Sequence, residues 1–455
     1  LLEDRNSPLP GNYLLKKRGT LFVTTQSKPS TALTSPGYLV PFITVTALFF
    51  IFGFITTLNM ALVPHLRSIF DLQHGWAMLA ESAFFLAYFV FSAPTSKLIE
   101  LIGYKRTMVV ALLVQVVGCL MFVPAARLIS FPLFLTAVFV VGAGVTALQT
   151  AANPYASILG PESTAPIRLT LAQAFNSIGC TLAPLVAGAF ILTETDSSAS
   201  KASVADTVRL PYIFIAGGLL ILGLAVAFSR LPAVALPSAS SVHKQSGSIW
   251  GYKHTVLGAL GIFFYVGVEV GLASIAVNYF TTQGVSSAKI ASFLLSLYWL
   301  GALVGRLLGT WILTKIQSGK LLGLFGFAAA ASIALSMVSG GQVAIWTLVL
   351  CGFFNSIMFP NIFALGIKGL GPMTSKGSGL IMTAVVGGAV VPWMIGELAD
   401  RVTKYYAAAH NLETIPGGLA DKVGIQCSFV IPVICYLFIA YYGLWGSKPT
   451  KAVSA

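Results

Sequence analysis

Residues 154–160 read PYASILG and residues 360–366 read PNIFALG, the same P-x4-L-G pattern 206 positions apart. Each copy sits towards the end of a long apolar run. A second pattern repeats almost in step, with Gly179-x4-Pro184-x3-Gly188 and Gly387-x4-Pro392-x3-Gly396 lying 208 positions apart. Two matched patterns on corresponding runs indicate a duplicated architecture. Proline removes a helix hydrogen bond and permits a bend, so matched prolines mark matched hinges.

Composition defines the solvent in which these halves fold. Of 455 residues, 56% are hydrophobic and 9% are charged, against about 25% charged in a soluble domain. The chain is therefore an integral membrane protein. With roughly 20 apolar residues needed to cross a bilayer, the sequence predicts twelve spans: 38–67, 75–98, 107–126, 130–158, 168–193, 210–229, 253–281, 288–314, 321–338, 342–368, 377–399 and 425–446. The expected fold is all-α, with two pseudo-symmetric six-helix bundles over 37–229 and 252–446. A polar linker rich in Ser and Pro fills 230–251, and a short tail fills 447–455. The leader, 1–36, has no apolar segment beside its basic cluster and does not resemble a signal peptide. It is expected to be disordered or foreign to the protein.

Basic residues outnumber acidic ones by 27 to 14. In a soluble chain this excess would point to nucleic acid, but here no basic domain has room to fold. With both termini on one side, eighteen basic residues, including Lys105, Arg106, Arg168, Lys315 and Lys376, share that side and eight lie opposite. This positive-inside bias puts both ends in the cytoplasm and the excess against anionic lipid. The five cysteines are isolated, and no His/Cys cluster suggests a metal. Neither HExxH nor GxSxG is present, so no enzyme and no cofactor is expected.

The spans carry amides and hydroxyls at helical spacing. Gln149 and Asn153 share one face, as do Gln173 with Asn176 and Thr56 with Asn59. Asn278, Asn355 and Asn361 offer counterparts from the second half. Carboxamides both donate and accept, which suits a neutral polyhydroxylated ligand. Phe52, Tyr155, Tyr265, Phe359 and Trp393 offer flat apolar surfaces for a sugar ring. The plainer reading is that such groups join neighbouring helices, at about 0.6 kcal/mol each. Clustering on spans 1, 4, 5, 7 and 10 favours a wet cavity. Gly301, Gly305 and Gly309 form GxxxGxxxG on span 8, a pattern that lets helices approach closely.

Ser96-Lys-Leu-Ile-Glu100-Leu-Ile-Gly103-Tyr-Lys105-Arg106 resembles the loop between spans 2 and 3 of the major facilitator superfamily, with Ser96 in place of a Gly and Glu100 in place of an Asp. Glu100, Gly103, Lys105 and Arg106 are read as a gating loop, its charges latching the halves. LQTAANPYASILGPES, LAQAFNSIG, YVGVEV (265–270) and NIFALGIKGLG (361–371) resemble the fucose–proton symporter family of that superfamily, which includes bacterial glucose/galactose permeases. The resemblance implies a monomeric twelve-helix carrier of the bacterial inner membrane. It would move a hexose or 6-deoxyhexose by alternating access, usually with a proton or other cation. It places Phe52, Thr57, Gln149, Gln173 and Asn176 in the sugar cavity.

Two departures bear on coupling. Where the family's fucose symporter carries an Asp after L-N, this chain has Met60, and where it carries a Glu before T-A-A-N-P, this chain has Gln149. Neither side chain titrates, which raises an uncoupled uniporter as the alternative. Glu269, near the middle of span 7, is the leading acid for sugar binding or coupling, and Glu81 is the second. Glu397 reads as interfacial, and Arg306 as a snorkelling or structurally paired cation. A membrane receptor that binds sugar without moving it is the more distant alternative.

Overall fold

The structure, a computed structural model, describes residues 15–17, 20–22, 32–70, 74–190, 209–232, 248–285, 287–413 and 418–449; its side chains are described for 32–58, 83–183, 209–232, 248–285, 287, 290–413 and 418–449. The leader and linker thus fall largely outside the described residues. A small antiparallel hairpin, β1 (Leu15–Lys17) and β2 (Thr20–Phe22), precedes the helical body.

Ten described segments are long and apolar enough to cross a bilayer. One of them, Ala83–Arg127, spans twice, because the run His74–Arg127 breaks at Gly103, where φ 85 and ψ 165 lie outside helical values. Only glycine adopts that conformation without strain. With Ala165–Phe190 as the fifth helix, the total is twelve. In chain order they are α1 (Leu39–Phe70), α2 (74–102), α3 (104–127), α4 (Phe131–Ile158), α5 (Ala165–Phe190) and α6 (Arg209–Phe228). The second six are α7 (Lys253–Thr282), α8 (Ala288–Ile312), α9 (Ser318–Val338), α10 (Gly341–Asn355 continued by Met358–Gly366), α11 (Thr374–Thr383 continued by Gly387–His410) and α12 (Leu419–Ser428 continued by Val430–Tyr441).

Helix α11 corrects the expected boundary at 399. It continues to His410 past Asp400, Arg401 and Lys404, and stops where Asn411 turns left-handed at φ 52. Charged residues end an apolar run, but they do not end a hydrogen-bonded helix. On this extension Glu397 pairs with Arg401 at 2.7 Å, one turn apart and exposed, consistent with an interfacial charge.

The repeated glycines do the same work in both bundles. A Cβ on Gly179 of α5 would strike the Phe50 carbonyl of α1, and one on Gly387 of α11 would strike the Phe263 carbonyl of α7. Each glycine therefore seats its helix directly on the first helix of its bundle. The stripe on α8 behaves as its spacing requires. Gly301 faces the Phe353 backbone, Gly305 faces Ser356 and Gly309 faces Ile357, so α8 lies along the break in α10. Helix α2 meets α11 and α5 meets α8 across the bundle interface, and α4 also reaches α11. Between α2 and α11, Gly379 approaches Ser96 and Gly388 approaches the Phe85 ring.

Candidate functional site

The amide stripes face inward. Gln149 and Asn153 are both buried on α4. Gln149 Nε2 donates to the Tyr88 hydroxyl of α2 at 2.8 Å, while Asn153 Nδ2 reaches Met382 Sδ of α11 at 3.6 Å. One stripe therefore touches its own bundle and the opposite one. On α5, Asn176 Nδ2 donates to the Phe49 carbonyl of α1 at 3.2 Å. Gly53 permits that approach, because a Cβ there would collide with the Asn176 side chain. Gln173 is buried beside it, and its amide makes no hydrogen bond among the described residues. Phe52 packs on Phe49 with ring centroids 4.9 Å apart, and Thr57 lies against the Cys180 thiol of α5.

The second bundle contributes charge. Glu269 is half-buried, sixteen residues into the thirty of α7. Its Oε1 accepts from the Tyr265 hydroxyl at 2.6 Å. Arg306 of α8 is 7% exposed, so it does not snorkel. Its Nε donates to the Ser356 carbonyl of α10 at 3.2 Å, and its Nη1 donates to the Ser177 hydroxyl of α5 across the bundle interface. Glu269 and Arg306 lie within coulombic range, yet no ion pair joins them among the described residues. Next to them Asn355 Nδ2 donates to the Tyr298 hydroxyl at 2.6 Å.

This layer leaves polar atoms unspent. Thr56 Oγ1, Asn153 Oδ1, Asn355 Oδ1, Asn361 Oδ1 and Ser356 Oγ are buried without a hydrogen-bond partner among the described residues. Buried polar atoms in folded proteins nearly always have one. Four of these five belong to residues that the sequence alone singles out. Such a set offers acceptors to water or to the hydroxyls of a ligand, and it does so where the bundles meet.

Towards the end where the linker leaves α6 and enters α7, the bundles close on each other. Ser375 Oγ of α11 donates to Glu100 Oε1 at 3.0 Å. The Gly369 amide donates to Glu162 Oε1 at 2.8 Å, and Ser378 Oγ donates to the Thr150 carbonyl at 2.8 Å. Gly369 holds φ +69, a left-handed turn that suits glycine. Of the residues expected in a gating loop, Glu100 makes the contact to the opposite bundle. The loop's cation Lys105 instead donates to Ser229 at 2.8 Å within its own bundle, where it caps the end of α6, and Arg106 is exposed. Arg168 is fully buried at this end and clamps the carbonyls of Leu33, Ala156, Ser157 and Pro161.

Asn278 is exposed, one turn before the far end of α7. Asn361 Nδ2 bonds back to the Ile357 carbonyl of its own chain segment at 2.7 Å. Two aromatics are corrected. Tyr155 packs on Tyr104 at 5.9 Å and donates to the Pro232 carbonyl at the linker end, and Trp393 is 67% exposed on the outside of α11. Tyr265 and Phe359 remain together, 6.4 Å apart. Asn59, Met60 and Glu81 lie outside the described side chains. The sequence reading missed Arg306 and Ser177 as members of this layer. An unpaired charge inside a span was the available signal.

Residues 44–392 match the family Major Facilitator Superfamily. The chain belongs to the major facilitator superfamily. Within it, the chain is 43% identical over 407 residues to a glucose/galactose transporter of Brucella abortus, covering 89% of this chain and 93% of that one. It is 30% identical over 435 residues to the L-fucose-proton symporter of Escherichia coli, covering 91% and 94%. The solved structure of that symporter in the outward conformation aligns with a TM-score of 0.75 at 29% identity, over 89% of this chain and 98% of that one. A proton:xylose symporter, at 15% identity and a TM-score of 0.63, shares the fold alone. This superfamily member is thus a multi-pass membrane protein built on two six-helix bundles.

Proposed function

We propose that this protein carries a neutral hexose or 6-deoxyhexose, such as glucose, galactose or fucose, across the bacterial inner membrane by alternating access. The units that rock are the bundles over 37–229 and 252–446, joined by the linker over 230–251, with both termini in the cytoplasm and the protein working as a monomer. The observation that carries the reading is the layer of unspent amide and hydroxyl groups between the bundles, in a chain 43% identical to a glucose/galactose transporter. Gln149, Asn153, Gln173 and Asn176 bind from one side and Glu269 from the other. With the linker end closed by the Glu100, Glu162 and Thr150 contacts, this is the outward-facing half of the cycle.

Coupling runs through Glu269, the half-buried acid of the layer. A second reading, sugar uniport, is favoured by one specific observation: Gln149, neutral and bonded to Tyr88, stands where the fucose symporter has a carboxylate. Counterflow of labelled glucose, galactose and fucose into proteoliposomes, with and without a pH gradient, tests both. Saturable exchange of at least one hexose is expected. Exchange indifferent to the gradient selects uniport, and sugar binding without flux refutes carriage.

A further inference from the structure

The proposed function assigns no ligand to Arg306, yet its position calls for one. The guanidinium is buried among α5, α8 and α10, and no ion pair neutralises it among the described residues. Two of its five N–H groups are accounted for by the Ser356 carbonyl and the Ser177 hydroxyl. The others make no hydrogen bond among the described residues. Beside it the Ser356 hydroxyl and the Asn355 carbonyl oxygen are buried and unpartnered, so the corner holds both donors and acceptors with nothing to bond. Within coulombic range of it, the carboxylate of Glu269 accepts a hydrogen bond through Oε1 and makes no other among the described residues. A buried cation and a half-buried anion in range of each other, with no ion pair between them among the described residues, frame a ligand better than they stabilise a fold. Were they only structural, direct pairing would lower the desolvation cost.

We infer that Arg306 is a sugar-binding, specificity-determining residue, donating to one hydroxyl of a neutral hexose while Glu269 accepts from another. The inference rests on the sugar-carrier reading and deepens it. One guanidinium and one carboxylate together leave the corner without net charge, which suits an uncharged polyol. Because the guanidinium is tethered to Ser177 of the other bundle, the group that grips the sugar is also aligned by both moving units.

The test measures binding of D-glucose, D-galactose and their monodeoxy derivatives to purified protein, for the parent and for Arg306→Lys. Lysine keeps the charge but loses the planar fork. The parent should bind one monodeoxy sugar about tenfold more weakly than its full counterpart, the loss of one charge-assisted hydrogen bond. Arg306→Lys should bind the full sugar about tenfold more weakly and no longer distinguish the two. An Arg306→Lys protein with the parent's affinities and the parent's deoxy pattern would overturn the inference. If that variant does not fold, Ser177→Ala serves. It leaves the guanidinium in place but untethered, and it should weaken binding severalfold at unchanged Tm; parent affinity in this variant would equally overturn the inference. Absence of any sugar binding by the parent would remove the carrier reading as well, whereas normal parent binding with an unaltered variant removes this inference alone.

Discussion

The linker-end seam and the central polar layer both join the two bundles, but they use their hydrogen bonds differently. At the seam, Ser375 finds Glu100, Gly369 finds Glu162 and Ser378 finds Thr150, each within 3.0 Å. In the central layer, Thr56, Asn153, Asn355 and Asn361 keep buried oxygens without partners among the described residues. The seam contacts join bundle to bundle directly, whereas the layer keeps acceptors for water or a ligand. Interhelical hydrogen bonds in membranes average about 0.6 kcal/mol, so three seam contacts hold the closed state by roughly 2 kcal/mol. A ligand with about thirtyfold preference for the other state offsets that amount. On the proposed function, this difference between the regions lets a small molecule drive a large rearrangement.

The largest effect is expected at the scaffold both regions depend on. Gly387→Leu would push a side chain into the Phe263 backbone and should leave no monodisperse protein on gel filtration. Gly217→Leu, with nothing within 4 Å of its Cβ position, should behave as the parent. Next, Glu269→Gln should abolish sugar accumulation driven by a pH gradient while leaving counterflow measurable. Accumulation equal to the parent's would exclude Glu269 as the coupling group. Asn153→Ala, which removes an unspent acceptor from the layer, should weaken sugar binding about tenfold, as read by equilibrium binding. The smallest effect belongs to the seam: Ser378→Ala should shift the balance of closed and open states only about threefold, and should leave affinity for sugar in the outward-facing state unchanged.

Much of the fold was legible because small residues at close contacts leave a linear trace. The matched glycines at 179 and 387 show in the sequence, and in the structure each seats its helix on a backbone carbonyl of the first helix of its bundle. The end of α11 was not legible, because hydropathy reports where a helix leaves lipid and not where it stops. Spacing placed Gln149 with Asn153 and Gln173 with Asn176 on shared faces, since helical period alone decides that. Depth and partner are tertiary properties. Spacing could not tell that Asn278 lies near an exposed helix end, that Asn361 bonds back to its own segment, or that Trp393 points outward. For the same reason the sequence left Arg306 between snorkelling and structural pairing, and the structure has it gripping a serine of the opposite bundle.

The central claim is that the closed seam opens as the bundles rock around an occupied layer. Spin labels at Arg106→Cys and Lys376→Cys, exposed positions beside the Glu100–Ser375 contact, report that motion directly by pulsed electron paramagnetic resonance in a background lacking the five native cysteines. Sugar should add a second, longer distance population at the linker end. A single short distance, unmoved by any transported hexose, would contradict the account.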